Sequence, residues 1–204
     1  MALADFVAYR HAAWDTPWWV NPNRRAGRYN VRGADPPTQY ACLHPLGPAA
    51  EFLRHSGPAI VDALDTVTIR LWAARIRADG LLRVTFDEAA GHGLTPEQLV
   101  GDDYGPTQAF AERLTEDGVP GIVVPSAALP GTEVAVLFGE RVSAPYAAEV
   151  VDPEIEIATA HAAESRIPRE VVPRVRWKGR PHAALESWRA TGVPPVFDDP
   201  PGAR

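Results

Sequence analysis

The sequence predicts an α+β fold in which short strands form mixed or antiparallel sheets and the helices are few and short. Two apolar segments of strand type, Gly121–Pro125 and Glu133–Phe138, are separated by a loop that contains the turn signal Pro130-Gly131. These two strands are therefore expected to pair as a hairpin or to lie close together in one sheet. A helix is marked by Thr95 and Gln98, which have the spacing of a capping box.

The first quarter of the chain predicts short elements interrupted by proline. Residues 1–20 are rich in tryptophan and predict a packing lid or an edge strand, because their prolines exclude a long helix. Residues 21–39 predict a polar loop of the kind that carries binding residues, and residues 39–43 a short strand. Residues 45–55 predict a helix with Glu51 in its first turn, where a carboxylate suits the positive end of the helix.

The rest of the chain continues this pattern of short elements. Residues 66–77 alternate like a strand in their first half, while their second half is also compatible with a helix. The proline-rich stretch 194–201 predicts an extended or disordered end. The remaining expected elements are strands at 81–86 and 154–157, an edge strand at 171–177, and helices at 106–116 and 182–190.

The 204 residues are enough to bury a core without disulfides. We expect a catalytic domain over residues 1–145 and a C-terminal extension over residues 146–204 that is partly strand.

Composition excludes several classes of function. The net charge of −6 does not favour nucleic-acid binding, which normally needs a basic face. The sequence holds no run of about 18 apolar residues, so we expect no membrane span. A single cysteine, Cys42, cannot form an intramolecular disulfide, and the first residues lack the apolar run of a signal peptide. These observations predict a cytoplasmic protein.

Known catalytic motifs are also missing from the sequence. The six histidines show no paired spacing such as H-x-x-x-H, and the single cysteine has no partner, so no metal site is expected. Neither phosphate-binding glycine motif occurs, and there is no G-x-S-x-G elbow. A P-loop nucleotide hydrolase, a Rossmann dinucleotide site and an α/β-hydrolase are therefore disfavoured.

Four residues nevertheless suit the parts of a dinucleotide. Arg28, in a glycine-containing loop, offers a guanidinium fork for a diphosphate. Tyr40 offers a ring for stacking, and Glu51 a carboxylate for ribose hydroxyls or for the positive charge of an oxocarbenium ion. Ser126 offers a hydroxyl that hydrogen-bonds a ligand. Each also has an ordinary structural alternative, since ion pairs and core tyrosines are common.

The sequence resembles the RES-domain family, named for an arginine, a glutamate and a serine. The resemblance covers about residues 6–140 and lies in short motifs that follow one another in the family's order. The motifs are Tyr9-Arg10, Gly27-Arg28-Tyr29-Asn30, Tyr40-Ala41, the helix with Ala49-Ala50-Glu51, the strand Gly121–Pro125 ending at Ser126, and the apolar stretch 134–138.

This resemblance implies a fold related to ADP-ribosyltransferases and an NAD-consuming toxin of a toxin–antitoxin pair. It implies cleavage of the nicotinamide–ribose bond by phosphorolysis or hydrolysis, with inorganic phosphate as a possible co-substrate and no further cofactor. Protein ADP-ribosylation and a non-catalytic nucleotide-binding or partner module stay open as alternatives. The implied partner is an antitoxin with a helix-turn-helix domain, and a homo-oligomer is compatible with the family.

By the same resemblance, Arg28 and Glu51 would be the catalytic residues. Tyr29, Asn30, Tyr40 and Ser126 would line the NAD pocket together with Arg28. The segment Asp102-Asp103-Tyr104 departs from the family, which often has a tryptophan there, so the pocket wall is expected to differ.

Overall fold

The structure is a computed structural model that describes residues 4–12, 18, 25–34, 37–139, 142–143, 149–150, 155–160 and 164–197. The α-helices are α1 (Gly47–Ser56), α2 (Pro96–Val100), α3 (Gly105–Glu116) and α4 (Ala183–Thr191), and 3-10 helices cover Pro58–Thr66, Ala89–His92 and Arg169–Arg174. The strands are β1 (Ala4–His11), β2 (Thr38–Cys42), β3 (Thr68–Ala78), β4 (Leu82–Arg83), β5 (Gly121–Pro125), β6 (Glu133–Phe138), β7 (Val142–Ser143), β8 (Glu149–Val150), β9 (Ile155–Ala160) and β10 (Glu164–Arg166).

The main sheet is mixed and follows the order β10-β3-β1-β2-β6-β5-β4, with β9 also paired to β3. The pair β4–β5 is parallel and the other pairs are antiparallel. Strands β1 and β2 share one register pair, Tyr9 with Cys42, so the two halves of the sheet are joined narrowly. The α+β class with a mixed sheet and few helices is confirmed.

The central strands β5 and β6 pair antiparallel, as their apolar sequences predict. Both are buried along nearly their whole length, which explains why their apolar residues are continuous instead of alternating. The turn between them contains Gly131, whose φ of 88° lies in the left-handed region that favours glycine. The expected hairpin therefore forms, with the glycine where the backbone requires it.

The second half of residues 66–77 is not helical, because β3 is one continuous strand from Thr68 to Ala78. Its second half alternates strictly: Ala74, Ile76 and Ala78 are buried, while Arg75 and Arg77 are exposed. This period of two residues, fixed by pairing with β1 on one edge and β9 on the other, overrides the helical propensity of alanine and arginine.

Two further expectations about strands are wrong. Strand β1 is not an edge strand, since it lies between β3 and β2; of the tryptophan cluster, Trp18 is buried and Trp14 and Trp19 lie outside the described residues. The expected edge strand at 171–177 is largely the 3-10 helix Arg169–Arg174. Pro173 lies inside this 3-10 helix, and the φ angle that its ring fixes falls in the range of helical backbone.

The helices agree closely with the sequence predictions. The capping box at Thr95 is present, with the Gln98 amide donating to the threonine hydroxyl and the Gln98 side chain accepting from the Thr95 amide. In α1, however, Glu51 is the fifth residue and lies beyond the first turn. The positive end of the helix therefore does not explain this carboxylate.

The C-terminal part of the chain is built into the same sheet and core. Strands β9 and β10 both pair with β3, and Ala184 and Leu185 of α4 belong to the buried cluster formed around β5, β6 and α3. The extended residues 194–197 lie against the β5–β6 turn, where the amide of Phe197 donates to the Gly131 carbonyl at 3.2 Å. Residues 198–204 lie outside the described residues.

A second buried cluster lies under α1 and a third between β1 and β3. Within the part of the chain that the structure describes, none of the helices has the length and apolar character needed to span a bilayer.

Candidate active site

A cavity of about 300 Å³ lies between the segment 26–29, strand β2, helix α1 and the end of β5. Its lining combines aromatic, charged and apolar side chains: Ala26, Gly27, Arg28, Tyr29, Tyr40, Cys42, Glu51, Arg54, His55, Tyr104, Val124, Pro125, Ala127 and Val134. This mixture of an apolar wall with a few polar groups is typical of small-molecule sites.

Arg28 and Tyr29 form the tip of a tight turn. The amide of Gly27 donates to the Asn30 carbonyl at 2.9 Å, and the amide of Asn30 donates weakly back at 3.5 Å. A Cβ atom at Gly27 would lie 2.6 Å from Asn30 Oδ1 and 2.8 Å from Tyr40 Oη. Glycine is required here because side chains approach the backbone too closely for any other residue.

Helix α3 holds this turn in place from the other side. The hydroxyl of Thr107 donates to the Arg28 carbonyl at 2.7 Å, and the Gln108 amide group donates to the carbonyls of Gly27 at 2.8 Å and Asn30 at 3.1 Å. The turn residues are thus fixed by contacts some eighty positions away in the chain. Such support holds the Arg28 side chain in a defined position without a ligand.

Tyr40 is the centre of a second set of hydrogen bonds. Its hydroxyl accepts from the Tyr29 amide at 2.9 Å and donates to Asn30 Oδ1 at 2.7 Å. Burial raises the pKa of the Tyr40 hydroxyl well above its ordinary value, so the group stays protonated and can donate. Tyr40 therefore both lines the cavity and ties β2 to the turn.

Arg28 has donor capacity that the protein does not use. Its Nη1 atom is buried and has no hydrogen-bond partner in the part of the chain that the structure describes, and its guanidinium carbon lies 4.8 Å from the centre of the Tyr104 ring. Burial lowers the pKa of Arg28, which shows that the charge is desolvated. A buried cation with a free N–H group is suited to bind an anion.

Glu51 and His55 lie on successive turns of α1 at the opposite side of the cavity. The Glu51 carboxylate is 3.4 Å from His55 Nε2 and retains 32% of its side-chain exposure. The structure gives Glu51 no bond to an arginine among the described residues, so no arginine competes with a ligand for its side-chain oxygens.

Arg54 completes the charged lining. It is 2% exposed, and its Nη2 atom donates to Asp102 Oδ1 at 2.6 Å, while its Nε atom is buried without a partner. Asp102 in turn accepts from Arg176 Nη1 at 2.5 Å and from the Gly179 amide at 2.7 Å. Burial acts to raise the pKa of Asp102, but these donors outweigh it and lower the pKa, so Asp102 is ionised.

Comparison with protein families decides the classification. The family model described as the RES domain matches residues 7–160. This chain belongs to the RES domain family. The match spans the turn, α1, β5 and β6, and therefore all the walls of the cavity described above.

A solved structure similar to this RES domain comes from a crystal structure of the M. tuberculosis MbcT-MbcA toxin-antitoxin complex. The alignment has a TM-score of 0.57 and 16% sequence identity, and it covers 92% of this chain and 91% of the other. At this identity the likeness concerns the fold. A comparison with curated proteins gave no significant match.

Of the residues that the sequence predicted for this RES domain, the structure brings Arg28, Tyr29, Tyr40 and Glu51 to the cavity. Tyr29 Oη is buried without a hydrogen-bond partner, and burial raises its pKa. Asn30 does not line the cavity; its side chain instead accepts from Tyr40 and donates to the Val31 carbonyl at 3.0 Å.

Ser126 lies directly behind the cavity wall, between the lining residues Pro125 and Ala127. It is 1% exposed, and its hydroxyl accepts from the amides of Ala128 at 3.3 Å and Leu129 at 3.1 Å. In this structure Ser126 therefore supports the β5–β6 turn.

The Ser126 carbonyl accepts from His182 Nε2 at 2.9 Å, while His182 Nδ1 accepts from the Leu185 amide and caps α4. Burial lowers the pKa of His182 to about 4, so its ring is neutral near pH 7.

Sequence reasoning missed Arg54 and left Tyr104 without a role. The spacing of Glu51 and Arg54, three positions apart on one predicted helix, places both on the same face and was the available signal. Tyr104 lies in the segment expected to alter the pocket wall, and it does line the cavity. Among the described residues no cluster of histidine, cysteine or carboxylate side chains is arranged to hold a metal ion.

Proposed function

We propose that this RES domain binds NAD in the cavity and cleaves its nicotinamide–ribose bond. The observation that carries the proposal is the meeting of a half-buried Arg28 and the Glu51 carboxylate across one cavity, in a chain of the RES domain family. The cavity volume is near the lower end of the range for small-molecule sites, so it suits one end of the dinucleotide.

Each polar group in the cavity suits one part of this substrate. Arg28 would hold a diphosphate oxygen through its unpartnered Nη1. The ring of Tyr40 would pack near the nicotinamide, and the orphan hydroxyl of Tyr29 would bond a ribose or carboxamide group. Asn30 and Ser126 would act by holding Tyr40 and the β5–β6 turn, since their polar atoms are already engaged.

Glu51 is the residue closest to the proposed chemistry. When the bond between nicotinamide and ribose breaks, nicotinamide leaves with the electron pair, and positive charge develops on the sugar. A carboxylate at this position stabilises that charge, and the low polarity of the cavity strengthens the interaction. An oxygen of water or of inorganic phosphate then bonds to the sugar carbon. Attack by water gives ADP-ribose and a proton, and attack by phosphate gives a phosphate ester of ADP-ribose.

The test is nicotinamide release from NAD by the purified protein, with and without phosphate. Glu51→Gln and Arg28→Gln should both lose activity, whereas Glu164→Gln, at an exposed carboxylate, serves as the matched control. Stimulation by phosphate would assign phosphorolysis, and turnover without it would assign hydrolysis. Unchanged NAD under both conditions would refute the proposal, and full activity of Glu51→Gln would refute the site.

We also propose that the protein is the toxin of a toxin–antitoxin pair and that a helix-turn-helix antitoxin neutralises it. The support is RES-family membership together with the fold shared with a protein solved in a toxin-antitoxin complex. Expression of the wild type in bacteria should arrest growth and lower cellular NAD, and Glu51→Gln should do neither. Normal growth and normal NAD with soluble wild-type protein would contradict this role.

A further inference from the structure

Two guanidinium groups line the cavity, those of the half-buried Arg28 and the buried Arg54, and each has a buried N–H donor with no partner among the described residues. These donors are Nη1 of Arg28 and Nε of Arg54. An unpaired buried donor on a charged group costs free energy, so protein structures rarely leave one unless a ligand or water satisfies it. Two such donors on residues that line the same cavity indicate a shared ligand of opposite charge.

The charges around the cavity support the same conclusion. Arg28 and Arg54 face one cavity carboxylate, Glu51. Burial is the main cause that lowers the pKa of Arg28, and the Arg54 charge acts in the same direction. Asp102 does not cancel this excess, because Arg176 already forms a two-pronged ion pair with it.

Asp102 instead fixes the direction of the Arg54 side chain. It engages Nη2 of Arg54 from one side, while Arg176 and the Gly179 amide bind it from the other. The C-terminal part of the chain thus supplies Arg176 and Gly179, which complete a clamp around Asp102 that holds Arg54 at the cavity. Such a preorganised cation avoids the entropy cost of ordering a long side chain on binding.

We infer that Arg54 is a second anion-binding residue of the site and that it holds a phosphoryl oxyanion together with Arg28. The identification of this oxyanion as part of the dinucleotide or as its co-substrate rests on the proposed function. The binding of an oxyanion by Arg54 and Arg28 does not depend on that function. Two sources share this chemistry: the diphosphate of a nucleotide and free inorganic phosphate.

The experiment titrates the purified protein with orthophosphate and, separately, with ADP-ribose, and follows binding by calorimetry. Arg54→Gln removes the charge, Arg54→Lys keeps it without the planar fork, and Arg169→Gln is the matched control at an exposed arginine paired with Asp65. Loss of one charge-assisted hydrogen bond predicts binding about 10- to 100-fold weaker in Arg54→Gln. Arg54→Lys should recover part of this loss, and the control should bind as the wild type does.

The two probes separate the sources of the oxyanion. Weaker binding of orthophosphate alone assigns the subsite to free phosphate, and weaker binding of ADP-ribose alone assigns it to the nucleotide diphosphate. Equal affinities of wild type and folded Arg54→Gln for both probes would overturn the inference. Failure of the wild type to bind either probe at millimolar concentration would overturn it as well.

A measurement on the wild type covers the case in which the Arg54 variants do not fold. The assigned Nε–H resonance of Arg54 should shift on saturation with at least one probe, and an unmoved resonance would refute the subsite. NAD turnover, assayed in parallel, separates the two proposals. Arg54-dependent binding without NAD turnover retains the subsite and rejects the proposed function. If Arg54→Gln turns over NAD with unchanged KM values for NAD and phosphate, the proposed function is retained and the Arg54 subsite is rejected.

Discussion

Replacing Tyr40 with phenylalanine tests how the binding turn is held. The substitution keeps the ring and deletes a hydroxyl that accepts from the Tyr29 amide at 2.9 Å and donates to Asn30 Oδ1 at 2.7 Å. Both partners are buried. Each unsatisfied buried polar group costs about 1–3 kcal/mol, so with two such groups Tyr40→Phe should lower the free energy of unfolding by about 2–6 kcal/mol.

Urea unfolding followed by circular dichroism measures this loss. With a slope of about 2 kcal/mol per molar urea, the transition midpoint should fall by about 1–3 M. Tyr29→Phe is the matched control, because the Tyr29 hydroxyl is equally buried but has no hydrogen-bond partner. Its removal should leave stability unchanged or raise it by up to about 1 kcal/mol, while weakening NAD binding. A Tyr40→Phe variant as stable as the wild type, or equal losses in both variants, would refute the reasoning.

Three further predictions concern the turn, a buried histidine and the carboxylate. Gly27→Ala would place Cβ 2.6 Å from Asn30 Oδ1 and should cost about 1–3 kcal/mol in urea unfolding; an unchanged midpoint would contradict it. The pKa of His182 is about 4 in the folded state against an ordinary 6.5, so its contribution of about 3 kcal/mol is complete above pH 6.5 and is lost toward pH 4. Unfolding measured at pH 7 and pH 5 should differ less in His182→Asn than in the wild type. Glu51→Gln should reduce the rate of nicotinamide release about 100- to 1,000-fold, and a smaller loss would assign the charge stabilisation to another group.

The sequence predicted the elements whose signals are local. The capping box at Thr95 and the hairpin of β5 and β6 follow from neighbouring residues, and the structure confirms both. Strand β3 was ambiguous because its alternation and its helix-forming residues compete, and pairing with β1 and β9 decided the outcome. The prediction of an edge strand at 171–177 was wrong because apolar residues around a proline suit either an edge strand or a short 3-10 helix.

For the candidate site, the sequence placed Arg28 and Glu51 through motifs and a family resemblance. It did not reveal that the Tyr40 hydroxyl is committed to the turn, or that Ser126 bonds two backbone amides behind the cavity wall. It also gave no role to Arg54. These facts depend on which polar atoms already have hydrogen-bond partners. Those partners are set by the packing of residues far apart in the chain, which the spacing of a motif does not show.

The sequence by itself determined the α+β class, the family and the residue types available for binding an anionic nucleotide. These follow from local periodicity, capping and short motifs, which need no long-range contact to be read. The tertiary structure decided which charges remain free. The contact of Asp102 with Arg176, 74 positions later in the chain, leaves Arg54 clamped and its Nε unpaired. Folding brought these groups together because burying the C-terminal residues against α1 and β3 stabilises the core, and the charge pattern of the cavity is a consequence of that packing.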